Sequence, residues 1–424
     1  ERMRVGTRRT HDTQMTRRTD AVGVTPHGRS SHKDTFDLVS ASRIGEANKR
    51  RVLQTLFDLG PTSRAELARL SGTNRTTISG IVQPLLDNGL LVEEAPREHK
   101  SVGKPPRPLW FSPDAAPVCA VTLMPNRVQS AMVSITGEIQ QVKEVETHGK
   151  DTSRNEFITA LKACIGASLA SASRQPLGIG IAVGGMVDMT QGDIVAMNLA
   201  PALSGLDLVS LVESAFDLPT IIDHHPRAIL LGERWFGQGR GLKNFAVIYT
   251  GEVLGCALYL NDELFRGPLG SGGELGHIIV DMDGAQCTCG KHGCWETIAT
   301  LPWLRQTAAT MGIPDADRLD AQRLCELADK GDPPATELMN RYARNLAVGI
   351  ANLQTLLMPS DFILYGDIIN GSVRLHDRIE ADVKLLSPRH PGGKRHVICG
   401  SEEEKTTLRG AAGLVISKQL QIKY

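Results

Sequence analysis

The chain has 424 residues, 41% of them hydrophobic, with 47 Lys and Arg balancing 47 Asp and Glu. No apolar run approaches the roughly 18 residues that span a bilayer and no basic-then-apolar signal segment is present, so a soluble, cytoplasmic protein of two or three domains with no membrane partner is expected. Its eight cysteines suit free thiols or metal ligands in a reducing compartment rather than a disulfide framework.

The zero net charge hides a division. Residues 1–110 carry 19 Lys and Arg against 12 Asp and Glu, and the remainder carries 28 against 35. A basic front on an acidic body points to a polyanion-binding module joined to something else.

Residues 1–43 are polar, rich in Arg and Thr and without apolar period, and read as a disordered basic arm. From Gly45 the pattern turns helical, with Val52, Leu53, Leu56, Phe57 and Leu59 at three- and four-residue spacing until Gly60-Pro61 stops it. In TSRAELARLSGTNRTTISGIVQPLLDNGLLVEE, Ser63 is placed to cap a short helix starting at Arg64, with Leu67 and Leu70 facing inward and Gly72 in the turn. Asn74 is placed to cap a second helix that presents Arg75, Thr76, Thr77 and Ser79 outward, and Pro84 is expected to end or kink it. That is a helix-turn-helix whose second helix offers the cationic and hydrogen-bonding groups that base edges accept in a major groove. The stretch PREHKSVGKPPRPLWF reads as two strands around a basic tip, where Lys104 and Arg107 can lie along phosphates. Residues 44–112 are therefore expected to form a winged helix-turn-helix that binds a double-stranded DNA operator.

The body, residues 113–424, alternates strand and helix patterns. Strands are expected at 118–136, 177–184 and 245–260, helices at 156–172 and 208–216, and a long amphipathic helix at 335–357 ahead of the buried strand FILYG. Strands alternating with helices make an α/β domain. Within it, His277, Cys287, Cys289 and Cys294 have the types and spacing of a closed tetrahedral zinc site, structural because no position is left for water.

On these residues the chain resembles the ROK family of repressors, open reading frames and sugar kinases, in its transcriptional-regulator branch. The resemblance rests on the winged helix-turn-helix, GIGIAVGGMVD at 178–188, LGE at 231–233, RGPLGSGGELGH at 266–277 and CTCGKHGCWE at 287–296. It implies an actin-like, ribonuclease-H-like pair of lobes closing on a sugar and, in kinases, on ATP, in a homodimer or homotetramer. It also implies that Asn198, Glu274, His277 and Glu296 bind sugar hydroxyls.

The departures from the kinases are informative. Their first phosphate turn, Asp-x-Gly-Gly-Thr, corresponds here to Thr122-Leu123-Met124-Pro125-Asn126-Arg127, and Pro125 has no amide to donate. The second corresponds to Gly251-Glu252-Val253-Leu254-Gly255, with a carboxylate where phosphates are expected, and the nucleoside-side glycines are reduced to Tyr365-Gly366-Asp367. Counting back from LGE, the kinases' Asn-Asp pair falls on His224 and His225, so His225 stands where the catalytic aspartate would and no catalytic residue is assigned. Asp223 is expected to point to the opposite face. The two histidines are expected to contact the ligand and to make its binding pH-sensitive, opening the pocket to an amino, phosphorylated or acidic sugar. The leading expectation is a catalytically inactive regulator with a sugar-type effector. The alternatives are a sugar kinase with an attached DNA-binding domain and a regulator that binds no ligand.

Overall fold

The computed structural model describes residues 41–95, 107–267, 272–388 and 396–422. The first 40 residues of the predicted arm and Lys104 lie outside them. The N-terminal module consists of α1 (Ala41–Leu59), β1 (Thr62–Ser63), α2 (Arg64–Ser71), α3 (Arg75–Asp87), β2 (Leu91–Glu93) and β3 (Pro108–Phe111), its strands ordered β1-β3-β2. Both caps form as the sequence requires: Ser63 Oγ accepts the Glu66 amide at 3.2 Å and Asn74 Oδ1 the Thr77 amide at 2.8 Å.

Helix α1 ends at Leu59 as expected, and Leu59 is 60% exposed where Gly60 turns the chain away. Two expectations fail here, each for a packing reason. Leu70 is 46% exposed because Ala68 takes the inward position beside Leu67. Pro84 does not end α3, since buried Val82 and Leu85 hold the final turn in place and the Asn88 amide donates to the Pro84 carbonyl at 3.1 Å.

The first lobe runs through β4 (Val118–Met124), β5 (Arg127–Val133), β6 (Lys143–Glu146), α4 (Arg154–Ala170), β7 (Ile179–Val183), β8 (Met186–Asp188), β9 (Asp193–Ala196), β10 (Leu206–Asp207), α5 (Leu208–Phe216), β11 (Thr220–His224) and α6 (His225–Phe236). The second contains β12 (Phe245–Thr250), β13 (Gly255–Leu260), β14 (Glu263–Leu264), α7 (Leu301–Thr310), α8 (Ala321–Asp329), α9 (Pro333–Leu357), β15 (Asp361–Gly366), α10 (Val373–Leu386) and β16 (His396–Cys399), after which α11 (Glu403–Leu420) returns to pack on β4 and β7 of the first. The apolar runs 118–136 and 245–260 each resolve into a hairpin, because Pro125-Asn126 and Gly251–Leu254 interrupt them.

The sheets β6-β5-β4-β7-β11 and β14-β13-β12-β15-β16 repeat one topology, three antiparallel strands followed by two parallel ones. Two such units facing each other leave a cleft beyond the carboxyl ends of their parallel strands. Helix α6 runs between the units. Ile229, Leu230 and Leu231 pack on Phe245, Val247 and Ile363 of the second sheet, while Ala228 and Trp235 join the first-lobe core. The last helix, α11, returns to cross α6 so closely that a Cβ at Gly232 would lie 2.1 Å from the Thr406 carbonyl, and one at Gly410 1.6 Å from that of Ala228. Glycine at both points lets the two helices lock backbone to backbone.

Candidate functional site

A cleft of about 350 Å³ opens between the lobes, and all six residues expected to bind ligand line it: Asn198, His224, His225, Glu274, His277 and Glu296. The parallel strand β11 carries His224 to the mouth, and α6 begins there with His225. Burial pushes both imidazoles down to about 3, with Arg227 adding to the effect on His224, and His224 and Arg127 to that on His225. Both rings are therefore neutral at physiological pH, which corrects the expectation that they titrate there. His225 stands edge-on to Tyr249 with centroids 4.9 Å apart, and its Nε2 lies 3.5 Å from Thr407 Oγ1. The Glu274 carboxylate makes no hydrogen bond or ion pair among the described residues, and burial raises its pKa above the ordinary value.

The turns expected to match the kinases' phosphate turns also reach the cleft. Pro125, Asn126 and Glu252 line it, and Glu252 pairs with Arg305 at 2.7 Å. The Gly366 amide, in the turn corresponding to the kinases' nucleoside-side glycines, donates to Glu403 Oε2 at 3.0 Å. Tyr249, whose phenol burial pushes up, also feels the carboxylates of Glu403, Asp367 and Glu252. Asp223 does point away from the cleft, fully buried. Its two oxygens accept from Arg227 and Arg266, each at 2.9 Å, and Oδ1 also takes the His224 amide at 2.8 Å. Sequence reasoning missed Tyr249, Arg266 and Glu403, whose partners are distant in sequence, and Arg227, whose pairing with Asp223 one helical turn earlier it did not read.

The zinc-type residues converge. The ligand atoms of His277, Cys287, Cys289 and Cys294 all lie within 4.8 Å of one another. Cys287 Sγ is 3.4 Å from His277 Nδ1, and Cys289 Sγ is 3.6 Å from Cys294 Sγ. A tetrahedral zinc with bonds of about 2.0–2.3 Å needs ligand separations of roughly 3.5–3.8 Å, so donors and spacing fit the ion. Glu296 Oε1 sits 3.5 Å from His277 Nδ1 and 3.0 Å from Cys287 Sγ, placing this carboxylate beside both the cleft and the metal-type cluster.

The far end of α6 meets the N-terminal module. Phe57 of α1 stacks on Trp235 at 5.1 Å and tilts against Phe111 at 4.1 Å, and Asp58 Oδ1 pairs with Arg234 Nη2 at 2.6 Å. These aromatics belong to one continuous core spanning the module and the first lobe. The module's outer surface carries Arg75, Thr76 and Thr77, exposed, with Ser79 half-buried behind them. Thr77 Oγ1 also bonds the capping Asn74 at 3.0 Å. Arg64 and Arg107 share Glu93, Arg107 at 3.8 Å, which fixes both guanidinium groups beside the sheet.

The sequence profile of the ROK family matches residues 126–418. The xylose repressor of Bacillus spizizenii is 25% identical over 397 residues, covering 91% of this chain and 99% of that protein. A crystal structure of a ROK family transcriptional regulator, a homolog of the E. coli MLC protein, superposes with TM-score 0.75 at 24% identity, covering 89% of this chain and 98% of the other. A ROK family glucokinase from Streptomyces griseus, solved with glucose and AMPPNP, is 25% identical with TM-score 0.61 and covers 70% of this chain and 99% of its own. The regulators thus extend over more of this chain than the kinase does.

Proposed function

Because the chain belongs to the ROK family, in its transcriptional-regulator branch, we propose that residues 44–112 are a winged helix-turn-helix that reads duplex DNA and that residues 113–424 are a non-catalytic sensor for a sugar-type effector. One observation carries this reading. A single buried helix, α6, opens on the cleft at His225 and reaches the DNA-reading module at Trp235, so about 18 Å of rigid rod joins the two sites. Ligand contacts at one end can then favour one orientation of the module at the other, as coupling between sites requires.

In the module, Arg75, Thr76, Thr77 and Ser79 face the major groove, capped by Asn74. Ser63 fixes the start of α2, and Arg64, Lys104 and Arg107 follow phosphates near the wing. In the body, Asn198, His224, His225, Glu274, His277 and Glu296 take sugar hydroxyls. His277, Cys287, Cys289 and Cys294 hold one structural zinc, which braces the loop bearing Glu296. Phosphoryl transfer has no support, because Pro125, Glu252, Glu403 and His225 stand where amides, phosphates and a carboxylate base are needed. Two half-sites read by a homodimer or homotetramer complete the proposal.

Gel-shift titration on operator-length duplexes tests it. Arg75→Ala is expected to cost about 1–3 kcal/mol and relax sequence preference, whereas Lys104→Ala weakens all sequences alike and lowers the salt slope by about one. An Arg75→Ala, Arg107→Ala double variant that shifts DNA like the parent would falsify the assignment.

A further inference from the structure

Resting on the sensor reading, we infer that the cleft excludes anions, so that its effector is an uncharged or amine-bearing sugar and not a sugar phosphate or sugar acid. An anion entering a protein cleft is received by free backbone amides, by a helix N-terminus or by an unpaired Arg or Lys. Here several of these receptors are engaged or absent. In the first turn Pro125 has no N–H. In the second, Glu252 presents a carboxylate to the cavity. At the Gly366 turn the amide is taken by Glu403.

The helix N-terminus also offers fewer amides than usual. Helix α6 begins in the cleft with a partial positive charge that would attract a phosphate. However, its Ncap amide, on His224, donates to Asp223 Oδ1, and the second helical residue is Pro226, which has no amide. Asp223 is thus an internal anion that offsets this end of the helix.

Among the described residues, no Arg or Lys lines the cavity. Arg127 pairs with Glu404 at 2.8 Å and Arg305 with Glu252 at 2.7 Å, while Arg227 and Arg266 share Asp223 at 2.9 Å. Against this stand three carboxylates on the lining, Glu252, Glu274 and Glu296. The histidines add no positive charge, being neutral. A cavity lined by carboxylates and neutral polar groups repels a phosphate dianion and accepts hydroxyls or an ammonium group.

The test is calorimetric titration of the full, zinc-replete chain with pentoses, hexoses and hexosamines, each beside its own phosphate or uronate. At least one uncharged or amine-bearing member is expected to bind, and its anionic counterpart to bind at least about tenfold more weakly. Glu252→Lys is expected to narrow that gap by about tenfold, an effect a purely structural role for Glu252 would not produce. An anionic member binding as tightly as its parent, or a gap that Glu252→Lys leaves unmoved, overturns the exclusion while leaving the sensor reading in place. Binding by no member at about 10 mM, well above the weakest useful affinities, overturns both, and the DNA-reading module then stands alone.

Discussion

The two halves of the interlobe cleft have met the same demand in opposite ways. On the side expected to match the kinases' nucleotide site, polar groups are paired within the chain: the Gly366 amide with Glu403, and Glu252 with Arg305. On the other side the Glu274 carboxylate makes no hydrogen bond or ion pair among the described residues, and it lines the cavity with Asn198 and His224. Buried polar groups left without hydrogen bonds are costly, so a site abandoned by its ligand is expected to become self-satisfied, and a site still in use to stay open. The contrast is the one expected if, as proposed, phosphoryl chemistry is lost and sugar recognition is kept.

The largest expected effect comes from breaking the sugar side at its brace. Stripping metal with a chelator, or Cys294→Ser, should abolish sugar binding and lower the melting temperature, since metal at such sites contributes on the order of 10 kcal/mol in small zinc domains. Elemental analysis should find one zinc per chain; protein without zinc and with unchanged melting would remove the brace from the argument. Next in size is Trp235→Ala, expected to cost about 3–5 kcal/mol of stability as a buried aromatic truncation. A milder Asp58→Asn should keep the fold and DNA binding yet blunt the response of DNA affinity to sugar. Equal responses in variant and parent would show that α6 does not carry the signal.

Smaller effects sharpen the asymmetry. Asn198→Ala should lower sugar affinity by about 1–3 kcal/mol, the range for an unmade hydrogen bond in a desolvated site, while Glu403→Gln should leave it unmoved. Calorimetry with ATP should give no useful affinity for the parent; micromolar binding would show that the nucleotide half is not closed. The smallest effect concerns pH. With His224 and His225 held down to about 3 by burial, sugar binding should be flat between about pH 6 and 8. A histidine depressed in the folded state contributes stability above its unfolded value near 6.5 and loses it as pH falls toward 3, because the unfolded chain takes up the proton first. Each ring should therefore withdraw up to about 1.4 kcal/mol per pH unit in that window. Melting temperature against pH should flatten in His225→Asn, and an identical slope would refute the depressed value.

Much of this was legible because it is local. The caps at Ser63 and Asn74, the four metal-type ligands within eighteen residues and the prolines and glycines of the phosphate turns act over a few positions, which spacing can display. What spacing concealed is long-range. Glu403 answers Gly366 across 37 residues and Asp58 pairs with Arg234 across 176, and no periodicity announces such pairs. Leu70 misled for the converse reason: apolar type at helical spacing predicts a face, but only the neighbouring chain decides how wide that face is.

The stacking of Phe57 on Trp235 has one further consequence. Because the module and the first lobe share a core rather than a flexible tether, on the proposed reading any free energy a sugar spends in moving the module is returned when DNA binds first. Operator DNA is then itself an effector of the proposed sugar pocket. Sugar affinity measured on the free protein and on the DNA-bound protein should differ by the same factor by which sugar changes DNA affinity, and the concentration at which the regulator responds in a cell is set partly by how many operators that cell contains.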